Sequence, residues 1–147
     1  MANAWDPTTV QVADYVTSRT VSAATPGDDT PLGDFTADTY PTGDQVNRII
    51  QGSSSWVSAE AGSIDTTLYD LATTVAALHA AAMVELTYPE RNADVSVVAE
   101  RLLDEAHRHL ETLTRANAGL GQSGPDAVSM IPQYSFPDPP WYGDKDL

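Results

Sequence analysis

The sequence predicts a mainly α-helical protein: a small helical bundle of about four helices with a long N-terminal loop and an extended C-terminal arm. Apolar side chains recur every three or four residues in several segments, which is the spacing of one helix face. A stretch rich in Ser, Thr, Asp and Pro separates the first segment from the others, and near residue 118 the composition shifts to Gly, Pro and aromatic residues. We therefore expect a helical domain over residues 1–118 and an extended arm over residues 119–147.

The first helix is predicted from about Pro7 to Arg19. Asp6 is a favourable N-cap, and proline is favoured at the first helical position because its missing N–H would have no helical partner there. The residues that fall on one face of this helix are Val12, Tyr15, Val16 and Arg19.

A long loop is predicted from Thr20 to Pro41, where helical periodicity disappears among Ser, Thr, Asp, Gly and three prolines. Leu32 and Phe35 are the isolated apolar residues of this segment. We expect both to anchor the loop on the core.

A second helix is predicted to begin at a capping box formed by Thr42 and Gln45. In such a box, each side chain bonds to the backbone N–H of the other residue. The helix is expected to continue to about Ala59, with a break at Gly62 and Ser63. Its inward face is predicted to consist of Val46, Ile49, Ile50, Ser53 and Val57.

The third predicted helix is the centre of the core. It starts near Asp65 and must end before Pro89, because a residue that precedes proline is disfavoured in the helical region. Its apolar stripe is predicted to consist of Leu68, Leu71, Ala72, Val75, Leu78, Ala82, Met83 and Leu86. Polar residues such as His79 and Glu85 interrupt this stretch, which favours a buried helix of a soluble protein over a membrane span.

The last helix is predicted to start at an Asn92 or Asp94 cap and to end near Ala118. Its inward face is predicted to consist of Val95, Val98, Leu102, Ala106, Leu110 and Leu113. Oppositely charged residues four apart, such as Arg101 with Glu105, indicate a solvated outer face.

Aromatic residues distinguish the segment after Ala118 from a plain linker, because disordered linkers are usually poor in them. We expect this arm to become ordered on a protein partner. The predicted partner-binding residues are Tyr134, Phe136, Trp141 and Tyr142. The sequence from Pro139 to Tyr142 also fits the PPxY pattern of ligands that bind WW-type grooves as a polyproline II helix.

The charge of the chain argues against binding to nucleic acids or anionic lipids. There are 21 acidic residues against 7 basic ones, a net charge of −14, and the two kinds of binding depend largely on Lys and Arg. Solubility and adaptation to a high-salt host are alternative explanations of the acidity. The opening residues lack the basic and apolar regions of a secretory signal, so no cleaved leader is expected.

The sequence predicts no catalytic, cofactor-binding or metal site. There is no cysteine, which excludes thiol chemistry. The glycines at 119, 121 and 124 match a dinucleotide-binding string but follow a predicted helix instead of a strand, so they are interpreted as a flexible hinge. His79 is more typical of a hydrogen-bonded core or interface residue than of a general base.

The histidine and acidic residues that could bind a metal ion do not have the spacing of a known kind of site. His107 and His109 are two residues apart and point to different faces, and Glu105 with His109 supplies only two ligands. Four aspartates of the long loop lack the regular spacing of a calcium loop. They are Asp28, Asp29, Asp34 and Asp38.

The segment from Gly33 to Ile50 resembles the opening of head-to-tail adaptor (connector) proteins of tailed double-stranded DNA viruses. In that family a glycine, phenylalanine and threonine stretch leads through a proline–threonine pair into the first long helix. Here these positions are Gly33, Phe35, Thr36, Pro41 and Thr42, followed by Gln45, Val46, Ile49 and Ile50. The family usually has arginine before the proline–threonine pair, where this chain has Tyr40.

The resemblance implies a structural protein of the virion neck, with no enzymatic activity. It implies a ring, often a dodecamer, that attaches beneath the portal protein and extends the channel toward the stopper and tail proteins. DNA would pass through this ring without specific binding, and the protein would be in the host cytoplasm before assembly. No membrane contact is implied.

Two other classes of function remain open at the level of sequence. The acidic surface could mimic DNA and bind a basic protein partner. A small metal-dependent enzyme using Glu105, His109 and loop aspartates is the third hypothesis.

Overall fold

The computed structural model describes residues 2–89 and 95–121, and over these residues the protein is mainly helical, as predicted. Its four α-helices are α1 (Thr9–Ala13), α2 (Gly43–Ala61), α3 (Tyr69–Thr87) and α4 (Val95–Gly121). Short 3₁₀ turns lie at Thr17–Arg19 and Thr66–Leu68. The arm beyond Gly121 lies outside the described residues.

The first helix is shorter than predicted, and its cap was wrongly assigned. Thr8, not Asp6, is the N-cap, because its side chain accepts a hydrogen bond from Gln11 N while Gln11 Oε1 accepts from Thr8 N. The Asp6 carboxylate instead accepts from the amide of Asn3. After Ala13 the chain tightens into the 3₁₀ turn that ends at Arg19.

The long loop folds back on itself through backbone hydrogen bonds. Isolated antiparallel bridges join Val21 to Pro31 and Ser22 to Thr39. Phe35 anchors the loop, at 4% exposed, whereas the second predicted anchor, Leu32, is 51% exposed. The prediction for Leu32 was wrong: its backbone N–H donates to Thr20 O, but its side chain is half exposed and does not anchor the loop in the core.

Helix α3 is the centre of the core, as predicted, and it packs mainly on α4 and α2. Its alanines at positions 72, 76, 77, 80, 81 and 82 are almost fully buried, and their small side chains allow neighbouring helices to approach closely. The stretch Thr66–Thr87 is long and apolar enough to cross a membrane, but half of its apolar window is buried against the rest of the protein. A core helix passes the same test, so this finding is weak evidence for a membrane span.

The predicted apolar stripe of α3 is wrong at its C-terminal end. Leu86 is 48% exposed, while the neighbouring Glu85 is buried. Glu85 binds Arg19 in a two-point ion pair, with Arg19 Nε 2.9 Å from Oε1 and Nη2 2.8 Å from Oε2. This pair connects the end of the 3₁₀ turn after α1 to the last turns of α3.

Helix α4 runs to Gly121, beyond the predicted boundary at residue 118. Gly119 and Gly121 therefore lie within its last turn, so the predicted hinge does not begin at these glycines. Leu102, Ala106, Leu110 and Leu113 are buried as predicted, but Val98 is exposed near the beginning of the helix.

Asn117 on α4 fixes the connection between α2 and α3. Its Nδ2 donates to the carbonyl oxygens of Ala61 and Ser63 at 3.0 and 2.8 Å, and its Oδ1 accepts from Asp65 N at 3.1 Å. Gly62 ends α2 at this place with a φ of 74°, which favours glycine.

Candidate functional site

The junction between the long loop and α2 contains the residues on which the family resemblance rests. Thr42 is the N-cap of α2: its Oγ1 accepts from Gln45 N at 3.4 Å, and Gln45 Oε1 accepts from Thr42 N at 2.9 Å. The Thr39 hydroxyl donates toward the carbonyl oxygens of Pro41 and Thr36, at 2.7 and 3.1 Å. The junction is therefore held by side-chain to backbone hydrogen bonds on both sides of Pro41.

Gly43 allows the loop to pass directly over the first turn of α2. Its N–H donates to Thr36 O at 2.9 Å, and a Cβ added at Gly43 would lie 2.7 Å from Phe35 O. Any side chain would therefore push the loop away from the helix, and with it the buried Phe35 ring.

A shallow groove of about 380 Å³ lies beside this junction. Phe35, Thr36 and Ala37 line one side, and the first turns of α2 line the other. Asp44 makes this groove acidic at its helical side, which favours a basic or neutral occupant over an anionic one.

A second cluster of polar and aromatic groups lies where α2, α3 and α4 meet. The imidazole of His79 on α3 stacks on the indole of Trp56 on α2, with ring centroids 4.2 Å apart and planes 18° apart. His107 on α4 contacts the same indole edge-on at 5.4 Å. The Nδ1 of His79 is 2.9 Å from Ser53 Oγ, and the Nδ1 of His107 is 2.7 Å from Leu103 O.

His79 is half-buried in this cluster, and its environment favours the neutral ring. Burial lowers the pKa of His79 below its usual value, and the charge that His107 can carry lowers it further. His79 is thus a hydrogen-bonded residue of the helix interface, which is the environment that the sequence predicted for it.

The residues considered for metal binding do not form a site in the described part of the chain. His109 Nε2 lies 4.0 Å from Glu105 Oε1, and both side chains are exposed. Within residues 2–89 and 95–121, no three His, Asp or Glu side chains come together as metal ligands. Asp28 instead accepts hydrogen bonds from Thr30, which lower the pKa of its carboxyl group.

The predicted partner-binding residues Tyr134, Phe136, Trp141 and Tyr142 lie outside the described residues, as does Gly124. Asn92 and Asp94, the predicted caps of α4, also fall outside them. Their roles remain predictions.

Sequence reasoning missed the two interactions that connect distant segments most specifically. Glu85 was noted only as an interruption of an apolar stripe, although a lone acidic residue there signals a buried cationic partner. Trp56 lies three residues after Ser53, which is one helix turn, and so could have been placed near the face that packs on α3.

Comparison of the chain with models of protein families, with curated proteins and with solved structures gives no match in any of the three.

Proposed function

We propose that this protein is a structural virion protein, a head-to-tail adaptor that forms a ring beneath the portal and extends the DNA channel toward the stopper and tail. The observation that carries the proposal is the Gly33–Ile50 segment, whose residue types match the opening of that family. The acidic charge and the helical architecture agree with it.

The geometry supplies a physical reason why such a motif would be retained. Phe35 fills the core under the loop, Gly43 permits the close crossing, and Thr42 with Gln45 caps the helix. Each position depends on the others, so a protein that builds this junction needs the same residue types at the same spacing. Tyr40, where the family usually has arginine, is 64% exposed and contacts the Tyr88 ring edge-on at 5.3 Å.

Exposed apolar side chains near the two ends of the α3–α4 connection are candidates for contacts between subunits. Leu86 is 48% exposed, and Val97 on α4 is 59% exposed. Apolar side chains in such positions gain free energy when a neighbouring subunit covers them. A ring would supply that cover.

The net charge of −14 supports a channel through which DNA passes. A negatively charged lining repels phosphates, so DNA would slide through the ring without being held. Lys and Arg together number only 7, which makes specific gripping of DNA an unfavourable alternative.

Removal of residues 125–147 tests the proposed arm. The full chain is expected to bind the portal protein of the same virus, and the truncated chain to lose most of that binding while keeping its helical circular dichroism spectrum. Phe136→Ala combined with Trp141→Ala should reproduce the loss, because aromatic anchors dominate interface energetics. Unchanged portal binding by both variants would overturn the role of the arm.

The same acidity favours a second candidate, an acidic module that mimics DNA and docks on a basic protein partner. This function predicts tight, salt-sensitive binding to a DNA-processing enzyme. It also predicts that no ring forms at any concentration, which separates it from the adaptor.

A further inference from the structure

The cluster of Trp56, His79 and His107 joins three helices through an indole and two imidazoles, and each imidazole can gain a proton. Trp56 lies between the two imidazoles, stacked on one and contacted edge-on by the other. Ser53, which is almost fully buried, completes the contact between α2 and α3 through its hydroxyl group. None of these residues takes part in the proposed ring contacts, channel lining or arm.

We propose that this cluster is an acid-sensitive contact, in which protonation of His79 loosens α2 from α3 and α4 and exposes the Trp56 indole. The geometry carries the proposal: a half-buried imidazole is confined between an indole and a buried hydroxyl, and a second imidazole lies across the same indole. A proton on His79 therefore adds a charge to a ring that is partly shielded from solvent.

The groups that surround His79 give its charge little compensation. Helix α2 contributes Ser53 and Trp56, of which neither is an anion. Helix α4 contributes His107, whose own proton adds a like charge. The other elements that pack on α3, namely α1 and the Thr66–Leu68 turn, contain no charged residue.

Two features of the cluster favour the protonated His79 ring, but their effect is smaller than that of burial and of His107. The Ser53 hydroxyl can accept from a protonated Nδ1, so this hydrogen bond can survive protonation. The face of an indole also attracts a cation. Burial and His107 nevertheless lower the pKa of His79, so the charged ring is disfavoured overall.

The sign of the pH dependence follows from this lowered pKa. Between the folded and unfolded pKa values of His79, the unfolded chain binds more protons than the folded one. The stabilising effect of the neutral ring is therefore complete above the unfolded pKa, about 6.5, and is lost as the pH falls below it.

Proton NMR titration of the full chain tests the proposal directly, with the three histidine signals assigned by His79→Gln, His107→Gln and His109→Gln. His79 is expected to titrate at a pH below the usual histidine value of about 6.5. Its midpoint should move upward in the His107→Gln variant and stay unchanged in the His109→Gln variant, which is the matched control on the exposed face of α4. A His79 midpoint at or above the usual histidine value of about 6.5 would overturn the proposal.

Fluorescence of Trp56 reports whether the contact opens. In a Trp5→Phe, Trp141→Phe background, the emission should shift to longer wavelength and become more accessible to acrylamide between pH 7 and pH 5. The His79→Gln variant should lose this transition, while His109→Gln should keep it. If the Trp5→Phe variant fails to fold, the Trp141→Phe single variant can replace it as the background in which the pH responses of His79→Gln and His109→Gln are compared. Emission that does not respond to pH in folded protein would refute the opening of the cluster.

Discussion

Neutralising Glu85 should destabilise the fold more than any surface substitution, because it leaves the Arg19 guanidinium buried beside a group that no longer carries charge. Arg19 is 5% exposed and Glu85 is 7% exposed, and two hydrogen bonds of 2.9 and 2.8 Å join them. The residues are 66 positions apart, so their contact fixes the N-terminal segment on the end of α3. The test substitutions are Glu85→Gln and Arg19→Met.

The magnitude follows from the burial of both charges. Removing one partner of a buried pair typically costs about 3–5 kcal/mol, since the remaining charge loses the opposite charge with which it was paired. For a chain of this size, each kcal/mol lowers the melting temperature by roughly 3 °C, so a decrease of about 10 °C or more is expected. Arg19→Lys should cost less than Arg19→Met, because lysine keeps the charge but cannot donate in the two-point geometry.

Urea unfolding followed by circular dichroism measures these changes, and the double variant Arg19→Met/Glu85→Leu supplies the control. An apolar pair of similar volume should restore much of the stability, because neither charge then remains to be compensated. The loss in Glu85→Gln should also change little with added salt, since salt screens buried charges weakly. A loss below about 1 kcal/mol in both single variants would refute the reasoning, because that is the range of an exposed pair.

Four further substitutions, one of them a control, test local features of the fold by the same unfolding assay. Gly43→Ala should cost about 1–3 kcal/mol, because its Cβ would meet Phe35 O at 2.7 Å, whereas Gly52→Ala, in open space on α2, should stabilise by roughly 0.5–1 kcal/mol. Equal changes in the free energy of unfolding for Gly43→Ala and Gly52→Ala would contradict the close approach of the loop to α2 at Gly43. Ser54→Ala should be neutral or stabilising by up to about 1 kcal/mol, because its buried Oγ has no hydrogen-bond partner within residues 2–89 and 95–121. A clear loss of stability would reveal such a partner. Asn117→Ala should cost about 1–3 kcal/mol, since three hydrogen bonds disappear, and a loss within error would show that they contribute little.

Local signals predicted much of the helical pattern. The start of α2 at Thr42 and its end at Gly62 follow from residues that act on their own backbone neighbours. The end of α3 before Pro89 has the same kind of cause. Such features need no knowledge of the remaining chain.

The misassigned features depend on distant contacts or on a choice between neighbouring signals. Asp6 and Thr8 are both good caps, and only the Gln11 side chain, which pairs with Thr8, decides between them. Periodicity alone predicts that Leu86 is buried. Glu85 instead faces inward, where it pairs with Arg19, and Leu86, the next residue of the helix, is exposed. The histidine and tryptophan cluster likewise requires three helices to be placed first.

The mass of the purified protein in solution tests the adaptor proposal most directly. Light scattering should be measured over a range of concentrations, with and without the portal protein of the same virus. The proposal predicts a closed ring whose mass is a fixed multiple of the 15.7 kDa chain, formed alone or on the portal. A chain that stays monomeric at every concentration and does not bind the portal would contradict it.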